Sequence, residues 1–239
     1  MLEEDQTKVT AMLGNRYFAT FEGEITSWNK NLDLINQVIS SLREVQQSWG
    51  YLENLFIHSE EVRRELPKES DEFVQIDMDV KHLLQDAKTK QFAMAFSVQE
   101  GHLQLIESAN EKLIKCEKAL QRFMEDKRTC FPRFYFVSPA DLLDILSNGN
   151  IPEKVMQHMP KIFQAIETLK LEMGQNTPAA VGMKSCVGIE YVEFTEPLKL
   201  LGKVEVYLQD VIDVMRKSLR KIAGRSMDKY SQHPRTEWL

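Results

Sequence analysis

The sequence predicts a mainly α protein, an elongated array of stacked helical bundles with one or two short β segments that form a hairpin. Three observations lead there. Phe18, Phe21, Ile25, Trp28, Leu32, Ile35, Ile39 and Leu42 recur at alternating steps of three and four, the seven-residue repeat of a narrow apolar seam on a long helix. Ile106, Ala109, Leu113, Cys116, Leu120 and Phe123 repeat the pattern on a second helix, with Glu111, Lys112, Lys115, Glu117 and Lys118 on its other faces. Two runs rich in aromatic and β-branched residues, near 131–137 and 187–194, break the helical pattern and lie beside prolines. The expected division is a first helical bundle over 1–100 and a second over 101–239 that carries both β segments.

Taken in order, the first seam shifts near Val38 to Val38, Leu42, Val45, Trp49, Leu52 and Phe56. Such a change of face predicts a change of packing partner or a bend near Gly50. Gly14 and Gly23 each cost about 1 kcal/mol relative to alanine, so packing must supply most of this helix's stability. Pro67 opens a new helix with Phe73, Ile76, Val80, Leu83, Leu84 and Ala87 inward. The pattern weakens over 91–101, which reads as a junction. The helix that carries the second seam then ends near Thr129.

Residues 131–137 follow as an extended segment, because Phe134, Tyr135, Phe136 and Val137 suit a strand and Pro132 cannot sit inside a helix. Ser138 is placed to cap a helix, with Pro139 at its first position, Asp141 three residues after the cap, and Leu142, Leu143, Ile145 and Leu146 as its buried face. Two shorter helices open near Pro152 and Pro160, the second with Ile162, Phe163, Ile166, Leu169 and Met173 inward. Residues 174–184, rich in Gly, Asn, Thr and Pro, read as a loop. The second strand covers 187–194 and is closed by Pro197, and it pairs with 131–137 or rests on a partner. A last amphipathic helix uses Val204, Leu208, Val211, Met215, Leu219 and Ile222. Arg216, Lys217, Arg220, Lys221 and Arg225 suit the helix dipole at its end.

Composition narrows the function. A net charge of −6 and a pI near 5.5 lack the clustered basic excess of a nucleic-acid-binding protein. No stretch approaches the roughly 18 uncharged apolar residues of a membrane span. The acidic start, Met1 to Asp5, is not a signal peptide. Three widely spaced cysteines fit a reducing compartment. Without obvious tails, the chain reads as a piece of something larger.

Catalytic chemistry is not legible. Gly202-Lys203 is the nearest approach to a phosphate loop, but Pro197 stands where a glycine would and Val204 where a magnesium-ligating Ser or Thr would. The five histidines have no His or Cys at helical ligand spacing. Ser138 is explained as a cap, with no Gly-x-Ser-x-Gly elbow around it. No catalytic, cofactor-binding or metal residue is assigned.

Four blocks, in order, carry a resemblance to a known family: 48–57 (Ser-Trp-Gly-Tyr-Leu-Glu-Asn-Leu-Phe-Ile) continuing to Leu66-Pro67; 131–150, with its Ser-Pro-Ala-Asp-Leu-Leu-Asp-Ile-Leu-Ser-Asn-Gly-Asn; 202–208 with Met215 and Leu219 behind it; and Pro234 to Leu239. Together they resemble the linker of dynein heavy chains, N-terminal to the AAA+ ring, and the second block leans toward axonemal dyneins of the outer-arm type.

The resemblance implies a mechanical element that bends and straightens over the ring during the ATP cycle and so drives microtubule-based movement. It implies ATP and magnesium in the parent chain's ring and none in this stretch. The partners implied are ring modules of the same chain, microtubules through the parent motor, and other dynein subunits, with no nucleic acid and no membrane. It implies cytoplasm and the ciliary or flagellar axoneme as the location. Candidate ring-contact or interdomain residues are Arg133, Phe134, Tyr135 and Phe136 in one segment and Glu190, Tyr191, Glu193 and Phe194 in the other. A different class of protein, a static coiled-coil or spectrin-like scaffold, is favoured by the two seams and opposed by the β segments and prolines.

Overall fold

A computed structural model describes residues 1–173, 178–187, 190–230, 232 and 234. The chain divides into two compact units, Met1–Gln121 and Arg122–Leu239.

In the first unit, α1 (Leu2–Leu13) turns through 14–17 into α2 (Phe18–His58). The seven-residue repeat is plainest in the second half of α2, where Val38, Val45 and Leu52 are each completely buried. Leu32, Ile35 and Phe56 join them. The first half departs from expectation, because Phe21 and Trp28 are about half exposed. The reason is the partner: α1 lies along this half of α2 but buries no residue of its own. α2 keeps helical backbone angles at Gly50, and its one non-helical backbone position is Phe21 (φ −121°, ψ 19°).

Ser59 then caps α3 (Glu60–Glu65) by accepting the Val62 N–H at 3.3 Å. Pro67 opens α4 (Pro67–Lys90), as the sequence predicts. Phe73 of α4 stacks on Phe56 of α2 with ring centroids 5.2 Å apart, and Trp49 Nε1 donates to Asp77 at 3.0 Å. The expected junction at 91–101 is a left-handed turn at Gln91 (φ 59°), the one-turn helix α5 (Ala93–Ser97) and Gly101 at φ +89°. Every member of the second seam is buried on α6 (His102–Cys130), whose last turns belong to the second unit.

In the second unit, 131–137 is not a strand. Phe131 and Val137 are extended, but Pro132–Phe136 is a 3-10 helix, with Phe134 N–H on the Phe131 carbonyl and Val137 N–H on the Phe134 carbonyl. Proline lacks an N–H and fits a first helical position. Three-residue spacing also brings Phe131 and Phe134 onto one side, where their rings meet edge to face at 4.9 Å. Burial of both rings rewards the turn that strand propensity alone would miss. The Ser138 cap of α7 (Pro139–Ser147) forms as expected: Ser138 Oγ accepts the Asp141 N–H and its hydroxyl donates to the Asp141 carboxylate at 2.8 Å.

The short helices α8 (Pro152–Met156) and α9 (Met159–Ile162) follow. The expected continuation of the second through Leu169 and Met173 is replaced by strand β1 (Ile166–Met173). A register shift between Ile166 and Thr168 lets Ile166 and Leu169, three residues apart, both be buried. That bulge is what imitates a helical period in the sequence.

Strand β2 (Pro178–Ser185) replaces most of the expected loop at 174–184, of which 174–177 lie outside the described residues. Strand β3 (Tyr191–Lys199) starts within the expected second strand but passes through Pro197 instead of ending there; Gly188 and Ile189 lie outside the described residues. The three strands form an antiparallel sheet in the order β1-β2-β3, so Tyr191, Val192 and Glu193 of the expected second strand pair with β2 and not with 131–137.

The final helix, α10 (Val204–Tyr230), packs against β3, where Ser218 Oγ accepts the Thr195 N–H at 3.0 Å. This bond occupies an edge donor of the sheet. Leu208 and Val211 are buried as expected, whereas Leu219 and Ile222 are partly exposed. The protein is mainly α with one small sheet.

Candidate functional site

The two candidate segments lie in the second unit, on a frame fixed by two buried polar contacts. Lys127 near the end of α6 donates to Glu205 at the start of α10 at 2.7 Å, with both side chains less than a tenth exposed. Lys127 also lies 5.3 Å from the centroid of the Phe123 ring. Tyr207, almost fully buried, donates its hydroxyl to the Gly149 carbonyl at 3.0 Å, and burial raises its phenol far above the ordinary value. These contacts join α6, α10 and the end of α7.

The first segment splits into inward and outward halves. Phe134 is completely buried, and Arg133 faces inward too: it donates to the Ile162 carbonyl at 3.3 Å and lies over the Phe163 ring at 4.9 Å. Arg133 thus ties the 3-10 helix to α9. Tyr135 and Phe136 point the other way and are 56% and 75% exposed. The Tyr135 hydroxyl donates to Glu125, an interaction that raises the phenol's pKa, and Arg128 approaches the ring face at 5.9 Å. The result is an aromatic shelf with an acid and a base at its side.

The second segment builds a sheet face. The Glu190 carbonyl accepts the Ser185 N–H at 3.1 Å and closes the β2–β3 end, leaving its side chain exposed. Tyr191 and Glu193 share one face of β3, exposed, while Phe194 turns into the core. Gly182 pairs with Lys170 on one side and Glu193 on the other, and the Tyr191 ring lies across it. Lys170 Nζ stands 5.5 Å from that ring and 3.1 Å from Glu172, which raises the lysine's pKa. Among the described residues, no hydrogen bond, ion pair or ring contact joins this face to the aromatic shelf.

Residues that sequence reasoning did not single out complete the picture. Glu125 and Arg128 flank the shelf, and Lys170 and Gly182 complete the sheet face; their places depend on tertiary contacts that leave no local signal. In the first unit, an apolar groove between α1 and α2 has a volume of about 650 Å³ and includes Val9, Met12, Phe18, Phe21, Ile25 and Trp28 in its lining. At the site once compared with a phosphate loop, Gly202 has φ +86° and Val204 is buried beside Gly149. Among the described residues, no three His, Cys, Asp or Glu side chains come together as a metal site, and no helix is long and apolar enough to cross a membrane.

Comparison with known proteins gives one consistent result. The family model described as "Dynein heavy chain, N-terminal region 2" matches residues 1–226. Over its whole length the chain is 46% identical to the dynein alpha chain of the flagellar outer arm of Chlamydomonas reinhardtii. It is 38% identical to the ciliary dynein beta chain of Tripneustes gratilla and 36% to human dynein axonemal heavy chain 9. In each case the chain spans about 5% of the relative's length.

Proposed function

Because the chain belongs to the dynein heavy chain family, as its N-terminal region 2, we propose that it is a mechanical linker element of an axonemal dynein. In this reading it bends and straightens over the parent chain's AAA+ ring as ATP turns over. Nucleotide and magnesium are held in that ring, and microtubules are reached only through the whole motor. The ring modules of the same chain are its principal partners, with other dynein subunits beside them, and the axoneme is its location.

The observation that carries the reading is the division of labour in 131–137. Arg133 and Phe134 lock the segment into the core, while Tyr135 and Phe136 project into solvent from a rigid turn. An exposed aromatic pair on a fixed base suits a contact that must be made and broken repeatedly. The 41 residues of α2 and the 29 of α6 supply long rigid elements. Glu190, Tyr191 and Glu193 offer a second contact face.

Replacement of Tyr135 and Phe136 by alanine in the whole motor tests this. The expected result is slower ATP-driven microtubule gliding with the protein still folded. Unchanged gliding by a folded variant would reject the contact.

A static scaffold is the second reading, favoured by the uncovered apolar seam around Phe21 and Trp28. It requires a stable dimer of the isolated chain, which sedimentation would detect.

A further inference from the structure

The second half of α10 has no part in the contacts proposed above. Up to Ser218 the helix buries one face, with Val204, Tyr207, Leu208, Val211 and Val214 among its buried residues. From 219 to 230 it buries none. A Cβ built at Gly224, in the middle of this stretch, would meet nothing within 4 Å. Among the described residues, then, this half of the helix is open on every side.

Its chemistry is that of an amphipathic cation. Leu219, Ile222, Met227 and Tyr230 are between 41% and 75% exposed. Leu219, Ile222, Ala223 and Tyr230 follow at i, i+3, i+4 and i+11, so they continue the apolar seam that is buried earlier in the helix. Between Asp213 and Asp228 stand Arg216, Lys217, Arg220, Lys221 and Arg225 and no carboxylate, in a chain of net charge −6. The helix dipole does not account for them. Its effect is confined to the last turn, and the only basic residue in the last turn of α10 is Lys229. Arg216 meets Asp213 at 3.8 Å and Lys217 meets Glu196 at 2.6 Å. Among the described residues, Arg220, Lys221, Arg225 and Lys229 form no ion pair.

The placing of these charges selects the partner. At 3.6 residues per turn, Arg216 and Arg220 flank the apolar stripe on one side, Arg225 and Lys229 flank it on the other, and Lys217 and Lys221 stand behind it. A flat anionic surface such as a bilayer would take the stripe and its flanks and leave the back of the helix unmatched. A groove that closes around the helix, with an apolar floor and acidic walls, matches all of it. Calcium-loaded EF-hand proteins supply such a groove, lined by adaptable methionines and opened by the ion.

We propose that residues 216–230 of α10 are a docking helix for a calcium-loaded EF-hand protein, with Leu219 and Ile222 as apolar anchors and Arg220, Lys221 and Arg225 meeting its acidic walls.

Fluorescently labelled calmodulin, titrated with the whole chain in calcium and again in chelator, tests this by anisotropy. The expected result is saturable binding in calcium that is lost in chelator and weakened by added salt. Arg220→Glu with Lys221→Glu and Arg225→Glu should weaken it about tenfold or more, and so should Leu219→Ser with Ile222→Ser. All five side chains are exposed, so both variants are expected to keep the fold, which circular dichroism verifies. No binding in calcium, binding that survives chelator, or binding indifferent to both sets of substitutions would overturn the proposal. So would adsorption of the chain to phosphatidylserine vesicles without any complex with calmodulin.

Discussion

The ring of Tyr191 lies directly over Gly182 on the neighbouring strand, so that a Cβ at position 182 would stand 2.6 Å from Tyr191 Cε2. The glycine is therefore space that the tyrosine uses. Gly182→Ala is expected to push the ring off the sheet without unfolding it, because the far end of an exposed side chain can swing away. The cost is about 1 kcal/mol. Gly182→Ala combined with Tyr191→Ala should cost less than the sum of the two single changes in urea unfolding, since the second removes the clash created by the first.

Lys127 and Glu205 form a buried ion pair, and buried pairs are asymmetric in their response. Lys127→Met leaves a carboxylate buried without its partner and is expected to cost about 3–5 kcal/mol. Lys127→Met with Glu205→Leu removes both charges and should recover most of that loss. Thermal unfolding of the two variants checks the order.

Phe134 and Phe136 sit two residues apart in one 3-10 turn with opposite fates. Phe134→Ala opens a cavity in the core and is expected to destabilise by about 3–5 kcal/mol. Phe136→Ala removes an exposed ring and should change stability by less than about 0.5 kcal/mol. Denaturation of both variants separates the structural residue from the surface one.

Asp141 gives the stability a pH dependence on the acid side. Its carboxyl is held below its ordinary value, chiefly by Lys161 and Ser138, so the folded state binds fewer protons there than the unfolded chain. Its contribution is present above the ordinary carboxylate range and is lost as pH falls through the lowered folded value. Asp141→Asn should flatten the acid side of the stability profile. The same cap predicts a loss of about 1 kcal/mol for Ser138→Ala, measured by urea unfolding.

The helical part of this fold is legible because its signals are local. The Ile106–Phe123 seam, the Pro67 start and the Ser138 cap all stand where periodicity and capping chemistry put them. The misreadings have a shared cause. The bulge after Ile166 gave a strand the spacing of a helix, and edge-to-face packing of Phe131 on Phe134 made a 3-10 turn from strand-forming residues. Both are decided by tertiary partners. For the candidate surface, the aromatic and charged segments could be located from sequence, but not which members face outward. Phe134 and Phe136 carry the same side chain, and only the packed core distinguishes them.

The central claim is that this chain moves against the ring as nucleotide turns over. The most direct test is the energy-transfer distance between a donor at position 136 and an acceptor on a ring module of the whole motor, read with and without ATP. The account predicts two distances, exchanged by ATP binding and restored after hydrolysis. A single distance in every nucleotide state, in a motor that still hydrolyses ATP, would contradict it.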